Sequence, residues 1–287
     1  MPLMKMADNE IMGDAAAHFF KSGNILRSKK NSEVEKLITL LPNKGPKNTN
    51  IEYDLWYDVG GKNIKGFVYT DSMTNFMYIR PANKYHNKLI MNKAAQTPIT
   101  SDGLYLFEKL KEECTDKYSL KKRNIPNHKF VIFLPGTNIF NSVVDVPKLH
   151  RAVKQGAKLK MHPISASGLE TYLRREFGDD VIIDKKIAGH AVLDNADIVG
   201  CCTNSEMGIA ALAKGKTLYI FDKDDTIRTY TTIYSALKDD KGYSQNKLKA
   251  ILSCDYCGLV PYFSNNPQQL VDNFFEYCKE FVVNGNK

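Results

Sequence analysis

Three short segments carry the residue types best suited to chemistry, and each stands directly after an apolar run. Gly136, Thr137 and Asn138 follow KFVIFLP and offer a residue without a side chain, a hydroxyl and an amide where backbone donors could approach a phosphate. His162 and Pro163 follow AKLKM. An imidazole at that edge can donate to a phosphate oxygen, the proline fixes the turn, and the next helix start adds the positive end of its dipole. Thr203, Asn204, Ser205 and Glu206 close ADIVGCC and open MGIAALAKG, so hydroxyls, an amide and the N–H groups of a helix start face one edge. The same four residues also read as an ordinary helix cap, because a cap and a phosphate compete for the same donors. Lys185 and Lys186 follow DVIID, and they read as nucleotide contacts or as solvated lysines. The chain lacks both GxxxxGK[ST] and GxGxxG, which removes most support for NTP hydrolysis and NAD chemistry.

Loops of this kind need alternating elements behind them. KFVIFLPG, AKLKMHP, DVIID, ADIVGCC and KTLYIFD alternate with the helical patterns VPKLHRAVKQG, GLETYLRREFG and EMGIAALAKG, the signature of βαβ units. Nearly continuous apolar strands imply a parallel sheet covered on both faces, with ligands outside the carboxyl ends. The stretch from His190 reads as a short helix, and Pro267 to Phe281 as a closing amphipathic helix. Before this region the texture differs. A helical segment from Asp14, a second from Ser32 to Leu41 with Ser32 and Glu35 as a capping box, and four β-rich runs (IEYDLWYDV, NIKGFVYT, NFMYIRP, KLIMN) precede the helical GLYLFEKLKEE. The expected class is α/β, with a basic α+β domain at residues 1–125 and a Rossmann-like domain at 126–287.

The chain of 287 residues is 43% apolar and carries a formal charge of +8, which favours polyanionic or phosphorylated partners. Up to Ile125 there are 20 Lys and Arg against 14 Asp and Glu, and beyond it 20 against 18, so the excess lies early. No run of 18 apolar residues occurs and the start reads as no signal peptide, so the expectation is a cytoplasmic protein without a membrane span. Cys201 and Cys202 suit a buried strand, and Cys254 with Cys257 is a solitary CxxC that reads as structural. Aromatics from Tyr53 to Tyr78 interleave with lysines in a way that suits nucleic acid, although alternation along short strands favours core.

KMHPIS at Lys160 to Ser165 and LDNADIVGCCTNSEMGIAALAKGKTLYIF at Leu193 to Phe221 resemble the nucleotide-binding half of GT-B glycosyltransferases. More narrowly they resemble the group with a His-Pro motif followed by a Ser/Thr motif, which includes bacterial sialyltransferases and capsule or teichoic acid polymer transferases. The resemblance runs from Lys129 to Asp222. It implies a GT-B-like fold in which His162 binds the donor phosphate and Thr203, Asn204 and Ser205 hold the phosphate or the leaving nucleotide. Residues 1–125 depart from it, being shorter and antiparallel in pattern. That family places a general base in an Asp-Gly motif there, and Asp102 in TSDGLYLF is the matching candidate, with Asp58 a weaker one; a helix cap explains Asp102 equally simply. The implied activity is transfer of a sugar from a nucleotide-activated donor to a hydroxyl of a glycan or of a hydroxylated base in DNA. His162 and the helix start at Ser205 would supply the positive donors without a metal, and no cofactor beyond the nucleotide sugar is expected. The alternatives are a non-catalytic nucleic-acid-binding protein on an α/β scaffold and a nucleotide-sugar epimerase or hydrolase.

Overall fold

A computed structural model of the chain describes residues 51–59, 62–71, 76–113, 125–261 and 264–284. The helices expected from Asp14 and from Ser32 to Leu41 lie outside the described residues. The early segment gives β1 (Ile51–Val59), β2 (Lys62–Asp71), β3 (Phe76–Pro81), α1 (Lys84–Ala94) and α2 (Ser101–Glu113). Next come β4 (His128–Phe133), α3 (Thr137–Val143), α4 (Val146–Lys154), β5 (Lys158–Lys160), α5 (Ser167–Phe177), β6 (Ile182–Ile183), α6 (Gly189–Asp194), β7 (Ala196–Cys201), α7 (Met207–Ala213) and β8 (Thr217–Ile220). The chain closes with α8 (Thr231–Leu237), β9 (Lys238–Asp239), β10 (Gly242–Tyr243), α9 (Gln245–Leu252), β11 (Leu259–Pro261) and α10 (Pro267–Asn284). Two compact units result: 125–231 is one, and 51–113 with 232–284 is the other.

In the first unit all five strands are parallel, in the order β6-β5-β4-β7-β8, and helices flank the sheet as in a Rossmann-like α/β fold. The strands are the five apolar runs of the sequence, and the central ones, β4 and β7, bury most of their side chains because helices take both faces, whereas edge strand β8 leaves Tyr219 exposed. Capping sets the helices in place. Asp145 accepts from the Lys148 amide at 2.9 Å and Pro147 occupies the first turn of α4, whose Leu149 and Ala152 then reach the core. Leu169 and Leu173 of α5 join Ile132, Leu159 and Phe221 in the same cluster. Gly200 in β7 is a packing glycine: a Cβ there would stand 2.6 Å from the Phe221 ring and 2.9 Å from Ile132. Strand order reverses between β4 and β7, and a crevice outside the carboxyl ends opens at such a switch point.

The second unit holds the antiparallel sheet β1-β2-β3-β11. Two features differ from the sequence reading. KLIMN, read as a fourth β-run, lies in helix α1, which Asn83 caps through the Tyr85 and His86 amides. Its buried Asn87 accepts from the Tyr78 hydroxyl at 3.0 Å and donates to Thr232 at 2.7 Å, bonds that a strand would not place there. In addition, the chain after Thr232 does not stay with the parallel sheet: Val260 pairs with Met77, so the end of the expected 126–287 domain completes the early sheet.

That return depends on Gly258. Its φ is +82°, and an added Cβ would sit 2.1 Å from the Ile79 carbonyl, whose own amide donates to Gly258 at 2.8 Å. Gly156 also has a positive φ, of +92°, but open space around it. Gly258→Ala is expected to lower the unfolding free energy by about 3 kcal/mol or more, through strain and a backbone clash, and Gly156→Ala by only about 1 kcal/mol. Urea unfolding of the two variants measures the difference.

Candidate functional site

The loop after β4, beside the switch point, meets the loop after the neighbouring strand β5. Leu134 donates to the Lys160 carbonyl at 3.0 Å, and the chain then turns at Pro135 and Gly136 into α3, a short helix that the sequence reading left as loop. The buried Thr137 hydroxyl accepts from the Ala166 amide at 2.8 Å and so ties this loop to the one that carries His162. An ideal Cβ on Gly136 would lie 3.7 Å from His162 Nδ1 and 3.1 Å from the Asn138 side-chain oxygen. Glycine therefore leaves a small opening among three of the expected site residues. His162 Nδ1 accepts from the Ile164 amide at 3.4 Å, which assigns the proton of the neutral ring to Nε2. Pro163 and Ile164 form the turn, which closes through the Ser165 amide and the His162 carbonyl at 3.0 Å. Helix α5 begins directly afterwards with no side-chain cap, so its first amides face this loop without a protein oxygen from a capping group.

Lys185 belongs to the same neighbourhood but is committed. It donates to the Ser165 carbonyl at 3.0 Å and pairs with Glu170 at 3.2 Å, while Arg174 donates to the same carboxylate. Burial alone would push the Glu170 carboxyl up, but the bonds from Arg174 and Lys185 outweigh it and hold the carboxyl below its ordinary range. Lys160, 2% exposed, gives its ammonium to the Met161 and Lys185 carbonyls at 2.7 and 3.4 Å. These lysines shape the His162 loop from beneath.

After β7, Thr203 is structural as well. Its amide donates to Asp222 Oδ1 at 2.9 Å, its hydroxyl donates to Asp222 Oδ2, and the hydroxyls of Thr203 and Thr231 lie 2.8 Å apart. Asp222 closes β8, so this bond fastens the carboxyl ends of the two strands together. The proximity has a further effect on Cys202: burial first, and then the Asp222 charge, push its thiol well up, which keeps it protonated and unreactive. Ser205 caps the start of α7 by accepting from the Met207 amide at 3.2 Å, and Glu206 is buried at the same start. Two polar atoms at this edge, Ser165 Oγ and Asn204 Oδ1, are buried without a hydrogen-bond partner. Ser165 carried no expected role, and an apolar pattern gives no signal for such an orphan.

Asp102 stands exposed in the first turn of α2, in the other unit, where a carboxylate meets the positive end of the helix. Thr100 rather than Asp102 makes the cap bond, accepting from Gly103 at 3.1 Å. The glycine of the Asp-Gly pair has its own reason, since a Cβ on Gly103 would overlap Ser253 Oγ at 1.8 Å. Asp58 lies in β1 opposite Asn63. Asp222, Lys223 and Asp224 form an Asp-x-Asp triplet, a spacing able to hold a divalent cation. Both Asp222 oxygens are occupied by Thr203, whereas the Asp224 side chain is 97% exposed. Among the described residues no group of three or more His, Cys, Asp or Glu is arranged to hold a metal. Cys254 and Cys257 are buried and form no disulfide. The hydrogen bond between the two thiols holds Cys254 below the ordinary thiol range and, with burial, raises Cys257 well above it.

No protein-family model matches this chain, and no curated protein matches it.

Two measurements test the fastening of this edge. Thr203→Val strips both Asp222 and Thr231 of a partner and is expected to cost about 1–3 kcal/mol in urea unfolding, with Thr203→Ser retaining most of it. The lowered Glu170 carboxyl makes its pairing fully stabilising above the ordinary Glu value of about 4.3, and that stability disappears as pH falls through the lower folded value. Glu170→Gln is therefore less stable than the parent at neutral pH, and unfolding curves at descending pH are expected to bring the two together.

Proposed function

We propose that this chain is a glycosyltransferase that takes a sugar from a nucleotide-activated donor and passes it to an acceptor hydroxyl. The observation that carries the reading is the approach of His162, in the loop after β5, to Gly136, which follows β4 beside the strand-order switch point, with 3.7 Å between a Cβ position and Nδ1. A crevice at that place is where α/β sheets take nucleotides. In this reading the donor phosphate rests beside Gly136, accepts from His162 Nε2 and meets the uncapped amides of α5, with Asn138, Asn204 and Ser205 at its margin. Pro163 and Lys185 orient the His162 loop, and Thr203 and Glu206 hold the β7 end in place.

The chemical step is substitution at the anomeric carbon. A base takes the proton of the acceptor hydroxyl; the acceptor oxygen bonds to the anomeric carbon; and the bond to the phosphate oxygen breaks, its electron pair leaving with the nucleotide. Positive donors at His162 and α5 stabilise the charge that develops on that phosphate.

Calorimetric titration with UDP, CMP and GDP compounds tests the donor site. One of them is expected to bind, with His162→Ala weakening it by about ten- to a hundredfold, the value of a hydrogen bond to a charged group. Binding of none, or unchanged binding by His162→Ala, refutes the reading. Sugar released at full rate without an acceptor identifies a hydrolase or epimerase instead.

A further inference from the structure

Among the described residues eight large apolar side chains are exposed, and five of them fall within the short stretch from Tyr85 to Tyr105. On α1, Asn87, Ile90, Met91 and Ala94 face inward, while Tyr85 and Leu89, one turn apart, are 68% and 53% exposed on the opposite face. Ile99, Leu104 and Tyr105 continue the exposed series into the first turn of α2, and both helices pack on α9. Scattered exposed leucines need no explanation, but a run of this density on one excursion of the chain does.

Up to the start of α2 the charge is of one sign, and Asp102 stands exposed within the later part of the stretch. No Asp or Glu occurs between Asp71 and Asp102, where Arg80, Lys84, Lys88 and Lys93 stand. Lys84 and Lys88 are exposed on α1 beside the apolar pair, and the Lys84 ammonium lies 5.3 Å from the centre of the Tyr85 ring. The pairing recurs on α2, where Lys109 lies 5.8 Å from the centre of the Tyr105 ring. Of the carboxylates further along α2, Glu108 is paired with Lys111 at 3.2 Å.

We infer that the outer face of α1, continued from Ile99 to Tyr105, docks this protein on an anionic lipid surface. Each residue type has a place there. The aliphatic ends of Leu89, Ile99 and Leu104 enter the boundary of the acyl chains, the two tyrosine rings lie at headgroup level, and the lysine stems run along the apolar zone to bring their ammonium groups to lipid phosphates. A nucleic acid would satisfy the lysines and stack on the tyrosines, but it offers no apolar medium for three exposed aliphatic side chains. No described helix is long and apolar enough to cross a membrane, so the attachment is to the surface. The inference stands apart from the donor-phosphate residues Gly136 and His162 and the start of α5, none of which belongs to this stretch.

Co-sedimentation of the full chain with phosphatidylcholine vesicles, and with vesicles also containing phosphatidylserine, tests it. The chain is expected to pellet with the anionic vesicles and remain in solution with the neutral ones, and added salt is expected to release it. Leu89→Asp is expected to abolish the binding and Lys84→Gln or Lys88→Gln to weaken it about fivefold each, with circular dichroism unchanged because all three side chains are exposed. Equal partition to both vesicle types, or parental binding by Leu89→Asp, overturns the inference. So does loss of duplex DNA binding in the lysine variants without any vesicle binding by the parent, which would assign the face to nucleic acid.

Discussion

A buried carboxylate organises the edge of the parallel sheet. Asp222 is removed from water at the end of β8, and a charge in that position is tolerated only when its oxygens are bonded. Thr203 meets the requirement with an amide and a hydroxyl from the end of β7, and in doing so fixes the chain that leads into α7. Asp222 also receives Lys148 on its backbone carbonyl at 2.7 Å, which draws the start of α4 to the same edge, and the Thr203 carbonyl accepts from the Tyr230 amide. The ends of β7 and β8, the start of α4 and Tyr230 are thus held through Asp222 and Thr203, by side chain and by backbone carbonyl.

The His162 loop has a separate anchorage of the same kind. Thr137 fastens it to the β4 loop from one side, and the pair of Lys185 and Glu170 holds it to α5 from the other. Most of the polar groups around the crevice are therefore spent on each other. Beside them stand His162, whose Nδ1 accepts from its own turn, Gly136 with no side chain, and the start of α5 without a side-chain cap.

The sequence made the parallel sheet legible because its five strands are continuous apolar runs, each ending in polar or small residues that mark the functional edge. It also placed Gly136, Thr137 and His162 at one edge, and their convergence follows from strand order. Roles were less readable than positions. Nothing local to Thr203 tells that a carboxylate nineteen residues later will take its hydroxyl, and Lys185 looks solvated until Glu170 is set beside it. KLIMN misled because five apolar and polar residues cannot distinguish a strand from a helix turn; the capping Asn83 and the buried Asn87 decide, the second through Thr232, distant in sequence. The three-residue strand β11 was hidden for a related reason, since it exists only through pairing with β3.

The pairing of β11 with β3 also bears on how the chain comes off the ribosome. The parallel sheet has all its strands once Ile220 has emerged, and it can fold as a unit from that point. The antiparallel sheet begins earlier in the chain but must wait for residues 259–261 to gain its last strand, with an apolar edge on β3 unpaired in the interval. Among the described residues the unit that starts first is the one that finishes last, and its exposure to misassembly is greatest while the strands of the other are already in place.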